Sequence, residues 1–374
     1  MTATATISHS EVISNNGGSS WGDIGGIGST GGGVYLLNSP SKLIGNTISG
    51  NYAVGGKPFF GGGGGGIALK SSNAELIGNV FEDNHGDGGA VYVENSPARL
   101  MDNQIRGNFA IGGDGGGGVY LLNSDAMLLR NVIADNRATN PGYDVSYGGG
   151  GIRIVGGSPQ LIGNVISGNQ YGVGTCKGNG GGVYIGSGSR ATFTNNVFLG
   201  NCAAWGAQVY VWYAAAPTFW HNTFTNLGQG FLVDGITVER ESEVTLVNSI
   251  IAGQGSGISV AADSAATLNG VLWFGNGSDI EGEGSIAVSY AYRGDPAFAE
   301  DGYHLTGSSA AIDRGLGSEV STDLDGLPRL VGLAPDLGAC EYPVALPSGY
   351  FVPLVRREHG LWSVGVAAPI ESLP

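Results

Sequence analysis

Glycine-rich segments of this chain carry aromatic rings beside charged groups: Trp21, Tyr52, Phe59, Phe60, Phe109, Tyr143, Tyr147 and Tyr171, with Asp23, Lys57, Asp114 and Asp144 between them. A flat ring stacks on a pyranose face and a carboxylate binds its hydroxyls, so this mixture suits a sugar-binding surface. The other reading is that the rings pack on one another and hold glycine loops in place. Hydrolysis or elimination would need paired carboxylates, or a base with a metal. "NHGDGG", residues 84–89, sets His85 near Asp87, but no acidic pair recurs at matching positions, so no catalytic residue is assigned. If the chain is catalytic, His85, Asp87, Asp114 and Asp144 mark the place to look. Asp323, Asp325 and Asp336 include one D-x-D-G step, the oxygen-rich spacing that a hard cation such as Ca2+ uses. Asx-turns would account for the same residues. No other cofactor is expected.

These residues sit on a repeat. Val34, Ile67, Val91, Val119, Ile152, Val183 and Val209 each come at or shortly after glycine, and each has an apolar partner two residues on. The period of two and the β-branched side chains predict strands. Phe231 and Ile258 continue the series less clearly. A second series starts at Asn46, Asn79, Asn103, Asn131, Asn164, Asn196, Asn222 and Asn248, with Ile or Phe two residues later and, in the first six, another Asn five residues later. The two series lie 12 residues apart in five repeats and 13 in the next two. The large variation in length falls after the second Asn. A fixed core with one variable corner, wound repeatedly, predicts a parallel β-solenoid of about nine or ten coils, stacked about 4.8 Å apart. The aromatic loops then fan out along one edge. The 71 glycines serve tight corners, and inward Asn side chains bond along the stack. A second stripe, Tyr35, Tyr92, Tyr120, Tyr184 and Tyr210, points outward. It is either a ligand platform or cross-strand packing covered by loops.

The balance of 31 acidic to 16 basic residues, net −15, argues against a nucleic-acid partner. No apolar run is long enough to span a membrane. The opening "MTATATISHSEV" shows no signal-peptide pattern, and residues 6–16 read as the second half of a coil.

With its "GGGVY…L.GN.I.GN" repeats the sequence resembles the right-handed parallel β-helix proteins, the pectin-lyase-like superfamily, over roughly residues 5–290. The resemblance implies the right-handed sense; the spacing alone does not. Several of its members act on polysaccharides. The Asn-Thr-Asp, Asp-Asp, Gly-His-Gly and Arg-Ile-Lys motifs of its galacturonases are not present. Further on, Tyr303-His304-Leu305, Ala311-Ile312-Asp313, Asp323-Leu324-Asp325-Gly326, Pro328-Arg329 and Asp336-Leu337-Gly338-Ala339 resemble the choice-of-anchor Q module of bacterial surface proteins. That likeness implies secretion.

The resulting expectation is an all-β chain: a right-handed parallel β-helix over 1–290, a capping, anchor-type module over 291–343 and an apolar tail over 344–374. Cys176 and Cys202 fall on adjacent coils and are expected to form a disulfide, with two buried thiols as the alternative; Cys340 has no evident partner. The expected role is a secreted or cell-surface structural and adhesive protein. Its partner would be a polysaccharide or another surface, and its ends could associate head to tail into a filament. The rival is a polysaccharide lyase or glycoside hydrolase.

Overall fold

A computed structural model of the chain describes residues 4–16, 31–53, 63–111, 115–139, 148–172, 176–227 and 233–343, with the backbone of two more strands, Leu354–Glu358 and Leu361–Gly365. Apart from that antiparallel pair, all the paired strands run parallel. Among the described residues no helix is long and apolar enough to cross a membrane.

Ten four- to five-residue strands, from Val34–Leu37 to Ser278–Gly282, stack into one sheet. The Asn-containing stretches form a second, larger sheet in which most coils contribute two short strands, such as Gln104–Arg106 after Arg99–Met101. A third sheet of five short strands was not anticipated. It comprises Tyr52–Ala53, His85–Gly86, Phe109–Ile111, Arg137–Thr139 and Gln170–Tyr171. The vertical registry is direct: Leu100 lies opposite Leu128, and Ile105 opposite Ile133. These side chains are fully buried in one continuous core. In the later coils, rings replace aliphatic groups without breaking the columns. Phe193 stacks on Phe219 at 4.5 Å, and Phe198 on Phe224 at 4.6 Å.

From Asn46 to Asn222, the bend between the paired short strands of the second sheet is made by one left-handed residue followed by an inward Asn. The left-handed positions before Asn79, Asn103 and Asn131 are Gly78, Asp102 and Arg130, with φ of 62°, 57° and 52°. The Asn then satisfies the bend. The Oδ1 of Asn131 accepts from Asn103 N and Nδ2 at 3.0 and 2.9 Å. Its Nδ2 donates to Asn164 Oδ1 and Leu100 O, both at 2.9 Å. The same scheme runs from Asn46 to Asn196, and a parallel ladder runs from Asn51 through Asn84, Asn108, Asn136 and Asn169 to Asn201. With each hydrogen-bonding group engaged, the desolvation cost of the buried amide is offset. Ion pairs such as Arg130–Asp102 (2.8 Å) also tie neighbouring coils, though exposed pairs contribute little.

Two registers differ from the sequence reading. The strand after Val209–Trp212 is Ile236–Glu239, with Ile236 opposite Val209; Phe231 lies outside the described residues. In the next coil Leu246 and Ile251, not Thr245 and Ile250, continue the inward columns from Phe219 and Phe224. The Asn ladder therefore passes from Asn222 to Ser249. The displaced Asn248 turns outward with φ of 51° and holds Leu316 by both its backbone groups.

That contact belongs to a larger difference. The segment expected to cap the helix, residues 295–343, packs along its flank. Leu305, Ala311 and Leu337 pack on Ile250 and Leu272, while Ala339 and Cys340 pack on Val197. Ser285–Arg293, the last strand of the parallel stack among the described residues, keeps an exposed face with Val288 44% and Tyr290 65% accessible. On the flank, outward-turned polar groups meet the segment's backbone. Asn195 Nδ2 donates to Thr322 O at 2.7 Å, and Ala339 N donates to Thr223 Oγ1 at 3.0 Å.

His221 is sealed in this junction. Asn248 Nδ2 donates to its Nε2 at 3.0 Å, with Ser318 Oγ 2.9 Å away, and Nδ1–H donates to Asp336 O at 3.3 Å. A second proton would face the Asn248 donor. Burial, then the nearby Arg329 charge, pull its pKa from 6.5 down to about 3. Between those values the unfolded chain binds a proton that the folded chain refuses. The histidine's contribution is thus whole above about 6.5 and is lost as pH falls toward 3, by up to about 1.4 kcal/mol per pH unit. Glu341 opposes this, because burial raises it to about 7. Thermal melts of wild type and His221→Gln at pH 7.5 and pH 5 isolate the histidine. The wild type's advantage should shrink at the lower pH; an advantage independent of pH would contradict the assignment.

Candidate functional site

The third sheet forms the root of the variable loops. Its strands alternate: Ala53, Gly86, Ala110, Ala138 and Tyr171 are buried, while Tyr52, His85, Phe109, Arg137 and Gln170 form the outer column. Tyr52 stacks on His85 at 6.1 Å between centroids, and His85 meets Phe109 edge-on at 5.8 Å. The guanidinium of Arg137 is held by Gly172 O at 3.2–3.3 Å. The result is a partly exposed row of three rings, then a cation and an amide, one group per coil. Each member is the residue directly after the second ladder Asn, so the column was legible in the sequence once that register was fixed.

The glycine clusters explain how close this row lies to the first sheet. A Cβ on Gly117 would meet Gly150 O at 2.2 Å and the Arg137 backbone at 2.6 Å; one on Gly65 would meet His85 O at 2.5 Å. Neither glycine has a positive φ. Backbone packed against backbone, rather than corner geometry, is the demand these two glycines meet.

Of the expected ridge residues, Tyr52 lies on the outer column and is 40% exposed. Tyr171 does not line the ridge. It points inward and is buried with Ala110, Ala138 and Ala203, because the strand's alternation places Gln170 outside. Trp21, Phe59, Phe60, Asp114, Tyr143, Asp144 and Tyr147 lie outside the described residues. Cys176 and Cys202 are disulfide-bonded with Cα atoms 5.3 Å apart, pinning the chain after the last short strand to the following coil. Three of the outward tyrosines are covered, Tyr92, Tyr184 and Tyr210 being 4% exposed or less, whereas Tyr35 at the first coil is 39% exposed. Arg153 lies 5.1 and 5.4 Å from the Tyr120 and Tyr184 rings, and Tyr210 donates to Glu239 at 2.8 Å. From Tyr92 to Tyr210 the stripe is packing.

Asp323, Asp325 and Asp336 do not converge as a calcium site. Asp323 accepts the amides of Asp325, Leu327 and Glu341 at 2.8–2.9 Å, and Asp336 those of Asp313 and Tyr342 at 2.7 Å. Backbone turns consume both carboxylates. Asp325 instead reaches His304, whose Nε2 is 2.7 Å from its Oδ2, while Nδ1 bonds Asp301. Buried Cys340 completes a cluster that the sequence did not reveal, since its members are 15 to 36 residues apart on irregular chain. Burial tends to raise Asp301, but hydrogen bonds from the His304 side chain and the His304 and Tyr303 amides hold it at about 2. His304 is driven well above the usual imidazole range: its two carboxylate bonds outweigh a desolvation penalty that acts the other way. Burial pushes the Cys340 thiol up to about 12.

Stacked parallel coils and inward Asn ladders define a solenoid of the β-helix class. The family model described as a right handed beta helix region matches residues 2–180 and 111–271, and the chain belongs to that family. No curated protein matches the chain, and no solved structure does.

Proposed function

We propose that this protein is a secreted or cell-surface adhesive β-helix that binds a polysaccharide along the Tyr52–His85–Phe109–Arg137–Gln170 column. The observation that carries the reading is the row of three rings, partly exposed, in line with a guanidinium and an amide. Rings at successive coils offer stacking surfaces to consecutive sugars, and the polar groups beyond them bind hydroxyls. The net charge of −15 favours a neutral glycan over a polyanion. The Cys176–Cys202 bridge suits an oxidising compartment. The likeness of 291–343 to an anchor-type module supports attachment to a surface.

Titration calorimetry on neutral and acidic glycans tests this. Tyr52→Ala and Phe109→Ala should each weaken binding about five- to tenfold, roughly 1–1.4 kcal/mol. Unchanged affinity in the double variant would refute the column as the site. New reducing ends or unsaturated products would replace the adhesive reading with a hydrolase or lyase.

Self-association is a second reading, favoured by one observation. Among the described residues the strand Ser285–Arg293 is paired on one side only, and its apolar Val288 and Tyr290 are exposed, a template for another chain's first coil. Electron microscopy of concentrated protein should show end-to-end particles, shortened by Val288→Lys; monomers alone would exclude it.

A further inference from the structure

His304, Asp325 and Cys340 bring an imidazole nitrogen, a carboxylate oxygen and a thiol sulfur within 4.8 Å of one another. We propose that these three residues bind a divalent metal of the zinc class. The donor set selects the ion. Nitrogen and sulfur beside one oxygen suit zinc, whereas calcium and magnesium take oxygen alone. Asp301 accepts from His304 Nδ1 and turns Nε2 toward Asp325 and Cys340. A carboxylate behind a ligating histidine is the usual outer support of such a site.

The surroundings fit three protein ligands and one open position. Cys340 is 1% exposed and closes the inner side. The His304 and Asp325 side chains are 33% and 46% exposed, so solvent reaches the outer side. Binding balances in charge and protons: the metal displaces one proton from His304 Nε2 and one from Cys340 Sγ. Thiolate and carboxylate then neutralise the dication. Affinity should therefore rise with pH. The site is remote in sequence from the aromatic column and stands independently of the glycan reading. Its place on the flank segment would give that segment a staple which the β-helix itself does not need.

The test uses the full chain with Zn2+ and Co2+. Zn2+ at 100 times its dissociation constant should stabilise the flank segment by about 2.7 kcal/mol, and Co2+ should show thiolate charge-transfer absorption at one equivalent. Cys340→Ser should abolish that absorption. His304→Gln, at a partly exposed position, should weaken Zn2+ binding by at least tenfold while the segment stays folded. Asp301→Asn should cost 10- to 100-fold in affinity with the thiolate band retained. The proposal fails if folded wild type binds no Zn2+, which would leave the cluster as a simple ion-pair network. It also fails if Zn2+ affinity is the same in His304→Gln and wild type, or if Ca2+ competes equally.

Discussion

Asn131→Leu should lower the stability of the β-helix by about 3–6 kcal/mol, more than most single substitutions. The side chain is 1% exposed. Its loss leaves Asn103 N, one hydrogen of Asn103 Nδ2 and the Leu100 carbonyl without the partners they have. Each such buried group costs about 1–3 kcal/mol, and burial of the apolar leucine offsets part of the sum. Asn131→Asp separates polarity from shape. A carboxylate still accepts from Asn103, but it cannot donate to Leu100 O or Asn164 Oδ1, and it buries a charge. That variant should be damaged most above neutral pH and recover in part on acidification, as protonation restores a donor. Urea denaturation at pH 8 and pH 5 reads both effects. Because each coil contacts chiefly its neighbours, the break should also split the unfolding transition near the middle of the stack. A single transition with a loss below 1 kcal/mol would show that the ladder is not a stabilising device.

The second large effect is expected at Arg329. Its guanidinium bonds Glu341 at 3.0 Å, Asn195 at 2.6 Å and Ala339 O at 2.8 Å, and the ion pair is 3% and 1% exposed. Arg329→Met fills similar volume but leaves Glu341 buried without its cation, a loss of about 3–5 kcal/mol. Since these contacts join residues 323–341 to the flank at Asn195, the damage should be local. Limited proteolysis should cut within 295–343 while the β-helix stays intact. Arg329→Met with Glu341→Gln should recover much of the loss, because the charge is gone and Gln still accepts from Asp336 N through Oε1. Equal damage in single and double variants would contradict this explanation.

How far the sequence disclosed these features depended on periodicity. The ladder was readable because Asn79, Asn103 and Asn131 recur at a fixed distance from an apolar strand, and only one winding places them together. The rule failed where the chain added a residue. Near Asn248 the motif stayed recognisable while the register moved by one, and only pairing with Thr223 and Phe224 shows that Ser249 is the inward residue. Tyr171 was misassigned for a related reason. A loop-like composition hid a two-residue strand, whose alternation buries it. The outer column could have been found by reading the residue after each second Asn. The His304 cluster had no periodic signal at all; it depends on how 295–343 folds against the flank, which no repeat encodes. The glycines answer two demands: Gly78 makes a left-handed bend as expected, whereas Gly65 and Gly117 relieve a backbone approach that composition did not disclose.

All of this rests on residues one winding apart sitting directly above each other. Gln104 and Val132 are registered partners on the outer face, and Val80 is the partner of Gln104 on the other side. Cys176 and Cys202 are already bonded and Cys340 is buried, so introduced thiols can be read separately. A crosslinker spanning about 5 Å should join Gln104→Cys with Val132→Cys in high yield. It should fail for Val80→Cys with Val132→Cys, two windings or about 9.6 Å apart. Equal yields for the two pairs, or none for the first, would contradict the stacked-coil account.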